Sequence, residues 1–558
     1  MGRRSISSEI FDNESVIEFG VPNKTIEDVK SPPAGLGLGS SVQLFDIEHS
    51  TVVEQERIVG IQQWLVFVCI IILAVMDSFN ATILIPAIPD LANTFSMSLA
   101  STFWASTIYL MFSAASHLYF TMLSEVFNHG PVWILAVLFA TIGTGVCCGS
   151  LSLSELIVGR MIQGIGCGGA MGLCFVAMKE CSPEAIHSRY SCYILLMRMG
   201  GAMLGLVCGG LFIDHGHWTW SFYFNFVFCA LGLLGIPFAV DLRASKHVPL
   251  RKLRTLDWTG VTMAFFGSGV VLVGLSWGGV SYLWSQWETI VPIVVGVVAI
   301  LALGLYEFKW ALHPQFGRRV FRSKMMTMTY LGCFLHGLVF FCHLQFFALY
   351  FMSTHYMSAT LSGMALLSLV GLAIGPVAIV GMILAREKEC TQWIISSGWI
   401  LVILTSGCSI LLDSETPTIA WVLLLFTAGL GHGLLLSSYN VRVQNMPKDE
   451  DTPPSILPTT MAYYMRAWGW AFAIPVGGSV LLNSLGNGLA DVGLNRSLIN
   501  SANGHLMLMK DFTVADQQQE AVSIVSVAAF RTLWGVITGV AVLGGLSSAF
   551  LWRKNSRK

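Results

Sequence analysis

Five ionised side chains lie where charge is expensive. Asp77, Arg160, Arg198, Arg466 and Arg531 each fall inside a long apolar run. A charge at the centre of a membrane helix costs at least about 2.5–3.5 kcal/mol on insertion scales, so it marks a cavity or a partnered site. Asp77 is the one acid deep inside any run, because Glu155 and Glu307 stand at run ends. A carboxylate withdrawn from water can take up and release a proton near neutral pH. Asp77 is therefore the candidate for proton coupling, and the structural alternative is a permanent ion pair that only orders the helices. Arg160 keeps its proton and offers five fixed donors. It suits displacing the proton of Asp77, binding an anionic substrate, or anchoring a hydrogen-bond hub with Gln163. His336 and His343 are seven apart and share one helical face. Histidine titrates near physiological pH, so a proton relay competes with a polar stripe satisfied inside the bundle. Gln345 and Asn225 are candidate hydrogen-bond partners for a substrate.

The elements that carry these residues follow from composition. Of 558 residues, 54% are hydrophobic and 11% charged, and the mean hydropathy is +0.68. A soluble protein of this length carries roughly 25% charged residues. The apolar runs have about 20 residues each, the length a helix needs to cross the hydrocarbon, whereas a closed barrel shows short alternating segments. Fourteen spans are expected, near 61–83, 102–122, 132–152, 155–178, 192–213, 219–240, 259–278, 289–308, 326–349, 362–384, 393–411, 419–438, 458–482 and 529–552. Of 31 Lys and Arg, twenty fall on the even-numbered connections and the C-terminal tail, and two, Arg496 and Lys510, on the odd-numbered ones. Basic residues stay on the cytosolic side, so both termini are expected in the cytosol. Residues 1–58 hold no apolar run and no signal peptide, and read as a disordered cytosolic tail. Most of the 13 Cys sit inside spans, where free Cys acts as a small hydrophobe. No metal-ligand spacing appears, and His215-Gly216-His217 reads as a polar turn. No cofactor is expected. The G-x-x-x-x-G-K-[ST] run of nucleotide-driven machines is absent from the sequence. The expected partners are a small-molecule substrate, protons and the lipid bilayer, and no nucleic acid.

The chain repeats itself. Arg198, Gly201, Gly205, Gly209 and Gly210 of span 5 align with Arg466, Gly469, Ala473, Gly477 and Gly478 of span 13, 268 residues later. Gly164-Ile-Gly166-Cys-Gly168 in span 4 aligns with Gly429-Leu-Gly431-His-Gly433 in span 12, 265 residues later. The expected architecture is thus two six-helix halves, residues 59–240 and 326–552, with loops and an inserted hairpin in 241–325 and a long outer loop at 483–528. Two homologous halves around a central site make a transporter architecture. Gly201, Gly205 and Gly209 are four apart and clear one helix face for a close crossing. Arg198 and Arg466 are expected across the central cavity from one another, where they would raise its positive potential and help expel the proton of Asp77. Snorkelling to the headgroups is the structural alternative.

Several motifs carry a family resemblance. Span 1 reads Met76-Asp77-Ser-Phe-Asn-Ala-Thr82-Ile-Leu-Ile-Pro86-Ala-Ile-Pro89, and span 4 reads Gly159-Arg160-Met-Ile-Gln163-Gly164-Ile-Gly166. Span 5 carries the glycines above, with Leu206 where a proline is usual. Trp218 to Asn225 leads into span 6, and Asp257-Trp258-Thr-Gly260 and Leu275-Ser-Trp277-Gly278-Gly279 mark span 7. Over about residues 60–555 the sequence resembles the fourteen-helix drug:proton antiporters of the major facilitator superfamily, especially the fungal branch found with secondary-metabolite genes. The resemblance implies an all-α polytopic membrane protein with the major facilitator fold, and a span 5 motif that belongs to antiport. It also implies that the loop after span 2 helps to hold one conformation closed. Here that loop, Leu123-Ser-Glu125-Val-Phe-Asn128-His129-Gly130-Pro131, keeps a carboxylate at Glu125 and lacks both basic residues.

The expected function is export of a hydrophobic or amphipathic small molecule by proton antiport, at the cell membrane or the vacuolar membrane, and not an enzymatic one. The alternatives are a proton-coupled uptake transporter, for an iron chelate or a basic amino acid, and a non-transporting sensor. Asn495-Arg-Ser497 is the sequon expected to meet the glycosylation machinery. Asn13-Glu-Ser15 and Asn23-Lys-Thr25 are expected in the cytosol, and Asn80-Ala-Thr82 lies within span 1.

Overall fold

Inside hydrocarbon a backbone must satisfy its own polar groups, and a chain of long apolar runs does so as helices. The computed structural model describes residues 38–181, 187–240, 256–311, 323–371, 388–444, 456–493 and 516–555, with positions 321, 375, 379 and 383 besides. Its helices are α1 (Leu38–Thr82), α2 (Ile88–Thr94), α3 (Leu99–Phe127), α4 (His129–Cys148), α5 (Leu153–Cys181), α6 (His187–His215), α7 (Trp220–Ala239), α8 (Trp258–Trp277), α9 (Trp287–Lys309), α10 (Lys324–Thr354), α11 (Ala359–Ala365), α12 (Lys388–Cys408), α13 (Thr418–Gln444), α14 (Ile456–Asp491) and α15 (Asp516–Asn555). Local signals set their ends. Ser98, Asp257, Ser323 and Ser358 cap α3, α8, α10 and α11 by accepting a backbone N–H with their side chains. Pro86 and Pro89 follow the end of α1, and α2 begins with Pro in its first turn.

Eleven of the described helices are long and apolar enough to cross a membrane, against the fourteen spans expected. The difference falls on α3, α11 and α14, where spans 102–122, 362–384 and 458–482 are expected. α3 and α14 have 29 and 36 residues, so length does not disqualify them. α3 is rich in Ser, Thr and Tyr, and α14 in Thr, Tyr, Ser and Gly, because both face the interior of the protein. α11 is short, and most of 372–387 lies outside the described residues. The tail expected to be disordered over 1–58 is helical from Leu38 onward. Its breakers, Pro32, Pro33, Gly35, Gly37 and Gly39, all come early, and no Pro or Gly follows until Gly60. At the far end α14 runs to Asp491 and α15 starts at Asp516, so both ends of the 483–528 segment are helical. Asn495, with Arg496 and Lys510, lies outside the described residues, as do Asn13 and Asn23.

The helices pack as two groups. α3, α4 and α5 pack along one another, with α1 against α6 and α7. α10 packs along α14 and α15, and α12 along α13 and α15. The hairpin α8–α9 packs on itself and touches α3 and α14 through α8. Close approaches repeat across the halves. A Cβ on Gly201, Gly205 or Gly209 of α6 would strike Val75, Phe79, Thr82 or Ile83 of α1. A Cβ on Gly469 or Gly477 of α14 would strike Phe334, Leu338 or Phe346 of α10. The crossing α1–α6 is thus matched by the crossing α10–α14. Gly210 differs from these glycines, because it meets Ala359 and Thr360 of α11.

Candidate functional site

On α1, Asp77 is 2% exposed. Its Oδ2 accepts Nη2–H of Arg198 on α6 at 2.8 Å. Tyr109 and Ser113, one turn apart on α3, donate to its Oδ1, each at 3.3 Å. Arg198 also donates through Nε to Ser78 Oγ at 3.2 Å, and its guanidinium lies 4.9 Å from the ring centre of Trp470 on α14. The glycines of α6 bring its backbone against α1, and this close crossing lets Arg198 reach Asp77. The pair therefore stands at the seam between the halves: the acid and its arginine belong to the first half, and the ring over which the arginine lies belongs to the second.

Arg160 does not reach Asp77. It is fully buried and donates to Ala105 O at 3.2 Å, Gln163 Oε1 at 2.7 Å and Asn80 O at 2.8 Å. The amide of Gln163 continues to Asn80 Oδ1 at 3.0 Å and Thr144 Oγ1 at 2.9 Å. Asn225, a candidate substrate contact from the sequence, commits its amide to Asn80 and Thr144, at 2.7 Å each. This is the hub arrangement of Arg160, wired through five helices, α1, α3, α4, α5 and α7. Tyr109 joins the hub to the ion pair, because its ring lies 4.1 Å from the Arg160 guanidinium while its hydroxyl reaches Asp77.

The second half carries a different chemistry. His336 and His343 of α10 both lean on His432 of α13, with ring centres 5.3 and 5.2 Å apart. His343 Nδ1 and His432 Nε2 are hydrogen-bonded at 3.0 Å, and the other nitrogen of His343 is bonded to Ser406 Oγ at 3.1 Å. Both ring nitrogens of His336 and Nδ1 of His432 are buried without a partner. A narrow cavity opens between the halves, lined by Met199, His336, Phe340, His432, Leu436, Arg466 and Trp470. Arg198 and Arg466 are 6% and 4% exposed, so neither snorkels to the surface. Arg198 is held by Asp77, and Arg466 borders the cavity. Gln345 is fully buried, with no partner for either amide atom, and it does not line the cavity. Glu125 is exposed at the end of α3. The whole connection from α3 to α4 is Asn128, at φ 69° and ψ 159°, outside the left-handed helical well and in a region otherwise almost confined to glycine. Arg531, counted among the embedded arginines, is exposed on α15.

The halves touch at both ends. At one end Gln444 donates to Ser191 Oγ at 2.7 Å, and Phe175 stacks on Tyr463 with ring centres 3.9 Å apart. At the other, Asp214 Oδ2 accepts the backbone N–H of Thr360 at 2.8 Å, and Phe103 meets Phe346 edge-on.

Sequence reasoning missed Tyr109, Ser113, Asn80, Thr144 and His432. A polar stripe in α3, Ser106, Tyr109, Ser113, Ser116 and His117 at helical spacing, was the available signal for the first two. His432 stood as the variable position of a glycine motif.

The family model of the Major Facilitator Superfamily matches residues 70–477. The MFS transporter L2 of Phoma sp. is 28% identical over 419 residues, 75% of this chain and 69% of that one. The MFS efflux transporter aclA of Aspergillus oryzae is 26% identical over 492 residues, 87% of this chain and 88% of that one. The MFS-type transporter of an acurin A biosynthesis cluster in Aspergillus aculeatus is 26% identical, covering 87% and 88%. Among solved structures, an inward-facing, occupied bacterial homologue of the human lysosomal transporter Spinster superposes with a TM-score of 0.54 at 15% identity, covering 88% of this chain and 96% of that one. That likeness is one of fold. With a family model spanning most of its length and two helical groups meeting at a charged seam, the chain belongs to the Major Facilitator Superfamily.

Proposed function

We propose that the protein is a secondary transporter that exports a hydrophobic or amphipathic small molecule of the secondary-metabolite class in exchange for protons. The names of the fungal relatives, efflux transporters and a biosynthesis-cluster transporter, support the direction and the substrate class. The observation that carries the coupling is the Asp77–Arg198 pair, buried at the seam and reaching Trp470 of the opposite half. A proton taken up by Asp77 cancels its charge and weakens its hold on Arg198. Arg198 is then free to move relative to Trp470, and the seam that both help to hold loosens. Loss of the proton restores the pair. In this reading Arg160, Gln163, Asn80 and Asn225 form the rigid hub against which the pair works.

The proposed topology has fourteen membrane spans, the eleven apolar helices together with the more polar α3 and α14 and the apolar run 362–384 that begins in α11. Both termini lie in the cytosol of a cell-membrane or vacuolar protein, as the distribution of Lys and Arg favours. The test is proton movement. Protein reconstituted in liposomes around a pH-sensitive dye is challenged with a panel of amphipathic fungal metabolites. Proton flux opposite to the flux of at least one panel member supports antiport. Flux of both in the same direction indicates symport, and substrate flux without protons overturns the coupling.

A further inference from the structure

The residues that line the cavity between the halves carry donors and no acids, and the cavity itself is closed down in this state to about 10 Å³, the room of one water. Arg466 is 4% exposed. Its polar contact among the described residues is Nη2 to the Cys333 thiol at 4.0 Å, its Nε has no partner, and Tyr463 lies under it at 5.7 Å. No carboxylate of the described residues pairs with it. Arg198, its counterpart in the repeat, has Asp77. On α10 the residue beside Arg466 in the cavity wall is His336, a group that carries no negative charge. The remaining polar atoms on the lining residues tell the same story. Both ring nitrogens of His336, Nδ1 of His432 and the indole Nε1 of Trp470 are buried without partners. No Asp, Glu, Asn or Gln lines this cavity. A buried cation and buried polar atoms left unpaired are each costly. A neutral imidazole has one donor and one acceptor nitrogen, so His336 and Trp470 bring one N–H each beside the guanidinium of Arg466. Phe340, Leu436 and Met199 make the rest of the wall apolar.

We propose that this cavity binds the carboxylate of an acidic amphipathic molecule. The Arg466 guanidinium takes the carboxylate, as its planar fork suits. His336 and Trp470 supply further donors, and Phe340 and Leu436 receive the apolar body next to the acid. The inference rests on the reading of the cavity as the substrate site of an exporter, and narrows its substrates to apolar carboxylic acids.

The full chain in lipid nanodiscs is titrated at pH 7 with three apolar acids, 2-naphthoate, cinnamate and octanoate, and with the primary amide of each. At least one acid is expected to bind tenfold or more tightly than its amide. Arg466→Gln abolishes that preference while leaving amide affinity within about twofold, which also reports that the variant is folded. Arg466→Lys keeps the charge without the fork and retains a reduced preference. Trp470→Phe keeps the ring, removes the donor and weakens the acid severalfold. Should Arg466→Gln not fold, the wild-type ratio and Arg466→Lys decide. Amides that bind as well as their acids overturn the acid class and leave the cavity as a substrate site. Acid preference that survives Arg466→Gln overturns the role of Arg466. Binding of neither acids nor amides overturns the cavity itself as a substrate site.

Discussion

Asp77 and Arg198 illustrate how cost guides a reading of single residues. An ionised group in hydrocarbon needs a reason, and the sequence alone marks Asp77, Arg160, Arg198 and Arg466 as having one. The pairing was not legible, because a linear chain does not say which arginine turns toward the acid. Arg160, Arg198 and Arg466 all stood as groups that could act on the proton of Asp77, and it is Arg198 that pairs with it while Arg160 serves the hub. Neutral polar residues such as Tyr109, Asn80 and Thr144 were hidden for the opposite reason: Ser, Thr, Tyr and Asn are affordable in membrane helices, so their presence marks nothing. If the pair is as dry as its burial indicates, Arg198→Gln leaves Asp77 uncompensated and costs about 3–5 kcal/mol. The double variant Asp77→Asn, Arg198→Gln recovers most of that loss, since no lone charge remains. Thermal unfolding in detergent measures both, and a double variant no more stable than the single one would show that the pair is not what holds the seam.

At the scale of elements, small residues decide which helices approach. Gly201 and Gly200 are neighbours on α6 with opposite surroundings. A Cβ at Gly201 meets the backbone of Val75, and a Cβ at Gly200 meets nothing within 4 Å. Gly201→Leu should force α6 from α1, costing about 1–3 kcal/mol as overpacking and lengthening the Asp77–Arg198 contact, so transport is lost. Gly200→Ala should change stability by no more than about 0.5 kcal/mol and leave transport intact. Stability in detergent and transport in liposomes check the contrast, and equal behaviour of the two variants would contradict the close crossing. The glycine spacing in the sequence foretold a crossing but not its partner, because spacing describes one helix and a crossing takes two. Hydropathy is weakest for α3 and α14, which carry many polar residues, although the equally buried α5 and α10 are apolar enough to be found by it. α9, which buries little beyond its face on α8, is the most apolar of the eleven, while α3 and α14 carry Tyr109, Ser113, Arg466 and Trp470, buried where the halves meet.

For the whole molecule, the repeat was the most legible feature. Matching arginines and glycines 268 residues apart align α6 with α14 in the sequence, and in the structure each sets its glycines against one long helix, α6 against α1 and α14 against α10. What a repeat does not reveal is where the halves have diverged. The first half holds an acid and its arginine, and the second an arginine that shares a cavity wall with two histidines. Topology follows from the charges on the connections. The 483–528 segment should face away from the cytosol, so a glycan is expected at Asn495 and none at Asn13 or Asn23. Sequon substitution with a gel-shift assay reads this, and a glycan at either tail site would invert the orientation.

Coupling at the seam is the central claim, and Asp77→Asn tests it most directly. The asparagine keeps the size and the hydrogen-bonding oxygen of the acid and removes its proton chemistry. Wild-type and variant protein are reconstituted in liposomes with a panel metabolite that the wild type moves, and two quantities are recorded: accumulation driven by an imposed pH gradient, and exchange of labelled for unlabelled metabolite without one. The account predicts that the variant, folded and inserted as the wild type is, exchanges metabolite but neither accumulates it nor moves protons with it. Gradient-driven accumulation at the wild-type rate in Asp77→Asn would contradict the account.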